Sequence, residues 1–237
     1  MILAPNGILG SRVLEGFLRM AQGRNARHEL YEGPGRFRHA DGWGAVVEEA
    51  GRLVRVRGVG ACWDDPALET LADRRVFLLH ARRATSGAVK PENVHPFERT
   101  IDGDRWFFSH NGTIRDALPR SPAAEGETDS ERYFDLLLGA VAAPNSLAAI
   151  GECLGALGDY TALDAFLLSR ERAFVVCAWR GFERYYTLRV LESSEGPIFS
   201  SEPVREVGRA WRALGHGEVV EFSRSTKKLR RVRLLLS

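Results

Sequence analysis

Apolar residues in this chain fall into short alternating runs at both ends and into helically spaced stripes in the middle. Ile2 to Ala4 is an apolar run closed by Pro5-Asn6-Gly7, which predicts a strand and a turn. Val13, Leu14, Phe17, Leu18 and Ala21 recur at helical spacing behind Ser11, so a helix is expected from a Ser11 cap to about Gln22. The polar, Gly-rich stretch 24–40 reads as a loop. Ala45 to Glu49 and Leu53 to Val59 read as strands joined in a hairpin through Ala50-Gly51-Arg52. Asp65-Pro66 starts a short helix, since proline suits the first helical turn.

Val76 to Ala84 and Trp106 to His110 are rich in branched and aromatic residues and are expected as strands. Thr128-Asp-Ser-Glu131 precedes a stripe of Tyr133, Phe134, Leu137 and Leu138, giving a helix to about Ala143 and a second from Ser146 to about Leu157. Six strands follow: Ala165 to Ser169, Phe174 to Trp179, Tyr185 to Leu191, Ile198 to Ser200, Val219 to Phe222 and Leu229 to Leu235. The short turns between most of them favour antiparallel pairing. Strands at both ends with helices between imply an α+β unit of two antiparallel sheets covered by helices.

Composition changes this picture little. A chain of 237 residues, 44% hydrophobic and 27% charged, suits a well-packed core, and a single domain over 1–237 is expected. A net charge of +2 gives no bulk field toward nucleic acid or a membrane, and neither is expected as a partner. Three cysteines without CxxC spacing, and no signal-like or membrane-length apolar run, suit a cytoplasmic protein.

Four segments hold candidate chemistry: His80-Ala-Arg-Arg-Ala-Thr-Ser-Gly87, Asn93-Val-His-Pro-Phe97, Ser109-His-Asn-Gly-Thr-Ile114 and Gly126-Glu-Thr-Asp-Ser-Glu131. Three of the four have a plain structural explanation: Asn111-Gly112 as a hairpin turn, Thr128 and Glu131 as a capping box, His95-Pro96 as a rigid loop. Together they offer more. Arg82 and Asn111-Gly112 at strand ends and Asp129 at a helix start supply a cation, an amide with a backbone N–H, and an anion. That set complements the α-carboxylate, reacting carbonyl oxygen and α-ammonium of an amino acid such as glutamine.

With His39-Ala-Asp-Gly-Trp-Gly44, Phe199-Ser-Ser-Glu-Pro-Val204, Trp211 and Gly217-Glu218, these segments make the chain resemble the class II glutamine amidotransferases, N-terminal nucleophile hydrolases, over nearly its whole length. The resemblance implies a four-layer αββα sandwich and hydrolysis of a γ-carboxamide by an N-terminal cysteine whose own amine is the base. It implies that Asn111 and Gly112 form the oxyanion hole, Arg82 holds the α-carboxylate, Asp129 the α-ammonium, and Thr85 lines the pocket. No cofactor is expected, and because no second catalytic domain fits in 237 residues, any ammonia acceptor is expected to be a separate protein.

Two residues depart from the family pattern. Arg83 stands where synthase-linked relatives often carry Trp, and Met1 offers a thioether where a thiol is needed. Relatives commonly open Met-Cys-Arg, so the nucleophilic Cys is expected just upstream of Met1; the alternative is an inactive member that binds an amino acid or serves as a scaffold. Cys62, beside Asp64 and Asp65, is a poor substitute nucleophile, and Cys153 and Cys177 read as core. His80, His95 and His110 have no metal-ligand spacing and are expected to brace loops, so no metal is expected. The basic segment Lys227 to Arg233 reads as a guarded sheet edge.

Overall fold

The computed structural model describes residues 1–24 and 28–236; residues 25–27 of the expected 24–40 loop lie outside the described residues. Along the chain come β1 (Ile2–Leu9), α1 (Leu14–Ala21), the hairpin β2 (Trp43–Glu49) and β3 (Arg52–Gly58), α2 (Pro66–Glu69) and β4 (Arg75–Ala81). A second hairpin, β5 (Phe97–Ile101) and β6 (Asp104–Asn111), precedes α3 (Asp129–Ala142) and α4 (Ser146–Gly155). The chain ends with β7 (Asp164–Leu168), β8 (Arg172–Cys177), α5 (Glu183–Tyr186), β9 (Arg189–Leu191), β10 (Ile198–Ser200), β11 (Arg212–Ala213), β12 (Glu218–Ser223) and β13 (Leu229–Arg233).

These strands build two antiparallel sheets, one ordered β11-β9-β10-β1-β4-β2-β3 and the other β13-β12-β8-β7-β6-β5. Strand alternation sends Leu3 and Leu78 of the first sheet toward Phe107, Phe166 and Val175 of the second, and a register shift in the β2–β4 pairing lets Phe77, next to Leu78, join the same core. The opposite faces are covered by helices: Phe17 and Met20 of α1 pack over Ala4, Ala45 and Val47, and Phe134, Leu137 and Ile150 of α3 and α4 pack over Phe108 and Val176. The result is the expected αββα layering.

Four local expectations are corrected. Pro5-Asn6-Gly7 does not end the first strand; β1 runs to Leu9 with a register shift between Leu3 and Ile8, a bulge that accommodates Pro5, which has no N–H to donate. The first helix is not capped by Ser11, which lies in a 3-10 turn, and α1 begins behind Val13 without a side-chain cap. Tyr185 to Leu191 is not one strand: Phe182 adopts a left-handed conformation and starts α5 before β9. Residues Phe97–Ile101, taken only as motif and loop, form β5.

Thr128 caps α3 by accepting from the Glu131 N–H at 3.3 Å, but the return half of the expected capping box is redirected. The Glu131 carboxylate accepts from the N–H groups of Glu125 and Gly126 at 2.8 and 2.7 Å and pairs with Arg99 at 2.6 Å. At 1% exposure, it is a buried charge held by one cation and two amides. Glu131→Ala leaves Arg99 with Asp135 alone and frees the two amides, and is expected to cost about 3–5 kcal/mol by urea denaturation. Thr128→Ala loses one capping bond and is expected to cost about 1 kcal/mol in the same assay.

Candidate functional site

The first residue of the chain stands at the mouth of the sandwich. The Met1 α-amine donates to Ser201 Oγ at 2.9 Å, while the Met1 carbonyl accepts from the Ser201 N–H at 3.0 Å and so extends the β1 to β10 pairing. Burial pulls the amine down to about 6 against the opposing field of Glu202, leaving it largely neutral at pH 7. The thioether lies against the inter-sheet core, 3.8 Å from Ser109 Oγ of β6.

Asn111 ends β6 opposite Asp164 of β7, so Asn111-Gly112 is not the turn of a hairpin; β7 arrives only after α3 and α4. A Cβ on Gly112 would fall 2.0 Å from the Ala162 carbonyl oxygen, so only glycine lets the chain leave the strand here. Among the described residues the Gly112 N–H has no protein acceptor. Asn111 Oδ1 accepts from the Tyr185 hydroxyl at 3.4 Å, which leaves its Nδ2 as the free donor beside that N–H. The same hydroxyl lies 3.2 Å from His39 Nε2.

Arg82 follows the end of β4 and is fixed by the Asp-Gly-Trp-Gly segment. Its N–H donates to the Gly42 carbonyl at 2.7 Å, its carbonyl accepts from the Asp41 N–H at 2.9 Å, and Asp41 Oδ2 accepts from the Ala84 N–H at 2.8 Å. Gly44 of the same segment lets His95-Pro96 lie on β2, since a Cβ would meet the His95 carbonyl oxygen at 2.3 Å. The Arg82 guanidinium donates to the Ser86 carbonyl at 2.7 Å, and Ser86 Oγ donates to Asp129 Oδ1 at 3.2 Å. Asp129 Oδ2 accepts from the Ile114 N–H at 2.7 Å, and Thr85 Oγ1 lies 3.2 Å from Thr113 Oγ1.

One cavity of about 440 Å³ is lined by Arg82, Thr85, Asn111, Gly112 and Asp129, all five residues that the sequence singles out. A narrower pocket containing Met1 adjoins it, sharing His39, His80, Asn111 and Tyr185. The volume suits an amino-acid-sized guest. A cation and an anion stand on different elements, and two free donors lie at the end toward Met1.

The three motif histidines hold this wall together. Burial keeps His110 neutral; its Nε2 donates to the Ala162 carbonyl at 3.0 Å, so its Nδ1 accepts from Ser130 Oγ at 2.9 Å and pins the start of α3 beside the end of β6. His80 Nε2 donates to the His110 carbonyl at 3.3 Å, and the His95 ring packs 4.3 Å from that of His80. Asn93 donates to the Ala88 carbonyl at 3.0 Å and accepts from the Glu127 N–H at 3.1 Å, closing the 86–88 loop. Among the described residues no three His, Cys, Asp or Glu side chains gather as a metal site needs.

Cys62 is buried on the helix-covered side of the first sheet, with its thiol pushed up to about 12 by burial. Cys177 is buried between the sheets, and Cys153 is half-buried beside the second helical layer. Sequence reasoning passed over His39, Tyr185 and Ser201 as individual site residues. His39 and Ser201 lie inside quoted motifs, whereas Tyr185 reads as a strand aromatic and gives no other signal.

His39, held at about 3 by burial and the nearby amine, together with His80, His95 and His110, is neutral when folded. Unfolding returns each imidazole to about 6.5 and the amine to about 8, so the unfolded chain binds more protons between pH 8 and 5. Stability is therefore expected to fall as pH drops through this window. Asp164 and Asp135, both raised by burial, oppose this trend but are outnumbered by the lowered imidazoles and the amine. A urea midpoint that is lower at pH 5.5 than at pH 7.5 checks the sign.

Comparison with known proteins bears on family and fold. Residues 31–178 match the model of the family described as glutamine amidotransferases class-II. YafJ of Escherichia coli (strain K12), provisionally named a glutamine amidotransferase, is 29% identical over 142 residues, 55% of this chain and 56% of YafJ. A Haemophilus influenzae protein with the same provisional name is 36% identical over 104 residues, 40% of this chain and 35% of that protein. The matches thus span about half or less of these relatives' lengths. In fold, the chain is similar to a predicted glutamine amidotransferase from Pseudomonas aeruginosa PA01, with a TM-score of 0.59, 22% identity, and 83% and 88% of the two chains covered. It is also similar to the glutamine phosphoribosylpyrophosphate amidotransferase of B. subtilis, with a TM-score of 0.66 and 16% identity over 98% of this chain and 48% of that one. With the family model covering well over half its length, the chain belongs to the class II glutamine amidotransferases.

Proposed function

We propose that the cavity binds glutamine, or the γ-glutamyl end of a larger amide, and directs its side-chain carbonyl toward the head of β1. The observation that carries this reading is the convergence of Arg82, Asp129, and the free donors of Asn111 and Gly112 on one cavity next to a buried, largely neutral α-amine. Arg82 would exchange its bond to the Ser86 carbonyl for the substrate carboxylate, and Asp129 would exchange Ser86 Oγ for the ammonium. Asn111 Nδ2 and the Gly112 N–H would then stabilise the oxyanion, a role worth about 3–4 kcal/mol per donor in comparable sites.

Hydrolysis further requires a thiol at the head of β1. The thiol attacks the amide carbon and gives its proton to the neutral amine, ammonia leaves as the C–N bond breaks, and water releases glutamate from the thioester. Successive side chains on a strand alternate between faces, and Met1 points between the sheets. A thiol that faces the cavity therefore stands at Met1's own position or two residues ahead of it, the second matching a Cys-Arg pair preceding Met1. A chain whose first residue is Met1 presents a thioether there, which favours the second reading: amino-acid binding without turnover.

Calorimetry on a chain beginning at Met1 is expected to show glutamine binding, weakened at least ~10-fold by Asp129→Asn, with no glutamate released. A chain bearing Met1→Cys as its processed first residue, or one extended by Cys-Arg ahead of Met1, is expected to release glutamate. Asn111→Ala in the active form is expected to lower kcat by about 10²–10³. Glutamate release from the chain beginning at Met1, abolished by Asn111→Ala, would overturn the requirement for a thiol. Absence of any glutamine binding would overturn the whole reading.

A further inference from the structure

A cavity of about 750 Å³ lies at the opposite end of the sandwich from Met1 and belongs to no step of the proposed reaction. Asp104 opens β6 and Asn111 closes it, so a rise of about 3.4 Å per residue separates the two mouths by about 25 Å. Where the Met1 end is surrounded by long connections, this end is framed by tight turns from both sheets. Ala50-Gly51 and Asp102-Gly103 are two-residue turns with positive φ at both positions, and β7–β8 and β12–β13 are short hairpins. Such turns hold their side chains in place before a ligand arrives.

The charges on these turns are unbalanced. Six basic and four acidic side chains line the cavity. Arg75 and Arg105 are already committed, the first to the Asn6 carbonyl at 2.6 and 2.9 Å and the second to Glu98 and the Leu53 carbonyl. Arg52, Arg170 and Lys227 have no side-chain partner among the described residues. Of the acids, Glu195 pairs with Arg75 and Arg12, while Glu48 and Glu171 lie in the field of Arg224 and, like Asp104, form no ion pair among the described residues.

Arg224 is the best-placed cation. Its Nη1 donates to the Ser169 and Arg170 carbonyls at 2.9 and 2.7 Å, and its guanidinium lies 4.9 Å from the Phe77 ring centroid. Its Nε is buried with no hydrogen-bond partner, and Nη2 makes no hydrogen bond to the protein among the described residues. Burial closes Nε to a ligand, so Nη2, whose hydrogens no protein acceptor takes among the described residues, is the nitrogen that can meet an anion. Phe107 closes the floor, with the Arg105 guanidinium 5.4 Å from its ring centroid.

We propose that this far mouth is a binding site for a multiply charged anionic small molecule, a phosphate ester or polycarboxylate, gripped by Arg224 with Arg52, Arg170 and Lys227. Arginine forks match both oxyanion types, and three partnerless cations at the rim match a ligand carrying more than one negative charge. The site is independent of the glutamine cavity and of whether that cavity turns over.

Calorimetry on the intact chain with inorganic tripolyphosphate and with citrate tests this. Saturable binding of either at one per chain, with a Kd below ~1 mM, supports the site, and the preferred probe tells phosphate from carboxylate chemistry. Arg224→Met is expected to weaken binding at least ~10-fold; because that side chain also braces a hairpin, Arg52→Gln, an exposed change, is expected to weaken it about 3-fold or more. Arg231→Gln, on the β13 edge away from the cavity, is expected to change nothing. Failure of both probes to bind, unchanged binding in Arg52→Gln, or an equal loss in Arg231→Gln would overturn the proposal.

Discussion

Packing between the two sheets is the constraint on which the rest of the molecule depends. Leu3, Phe77 and Leu78 on one side and Phe107, Phe166 and Val175 on the other share one core, and it fixes how far each strand projects at either end. Because β1, β4 and β6 all pass through it, Met1, Arg82 and Asn111 emerge at the same mouth without contacting one another through the chain. Interiors packed at this density are not continuously deformable, so a shift of one strand would displace its terminal residue from the other two.

The third group, Asp129, sits on a helix in a different layer and needs its own coupling to that core. Two bonds supply it: His110 to Ser130 next to the carboxylate, and Glu131 to Arg99 one residue further on. Both partners on the sheet side, His110 and Arg99, belong to the β5–β6 hairpin that also carries Asn111. Thus α3 is registered against the strand that ends in the free donors, and the distance between anion and donors is set by buried polar contacts. Neutral His110 is essential to this arrangement, since a protonated ring could no longer accept from Ser130.

Layering and pairing were legible in the sequence because they follow from local alternation, and the errors mark where tertiary partners overrode it. Strand β5 is masked in the sequence by the charged Glu98 and Arg99, which break the apolar alternation; Arg99 turns toward α3 and is neutralised by Glu131 and Asp135. Pro5-Asn6-Gly7 carries every mark of a turn, yet the bulge keeps the chain in the sheet. The Tyr185-Tyr186 pair favours strand by composition but follows Phe182, whose left-handed backbone starts a helical turn. The five candidate residues could be named because each lies in a short motif, whereas Tyr185 matters only through a contact 74 residues away in sequence.

The two mouths of the sandwich use the same core for different ends. At the Met1 end, long connections bring polar groups that satisfy one another in the empty cavity: Arg82 with the 86–88 carbonyls and Asp129 with Ser86. Binding there must replace internal hydrogen bonds, which costs affinity and rewards only a guest that supplies a carboxylate and an ammonium at the right separation; that exchange is a source of selectivity. At the far end, tight hairpins fix cations that have few internal acceptors, and the Arg224 Nε remains unsatisfied. An anion bound there, as proposed, would break few internal hydrogen bonds, so the site would favour charge over shape. On the two proposals, one end of the fold would discriminate among neutral zwitterions and the other would attract anions.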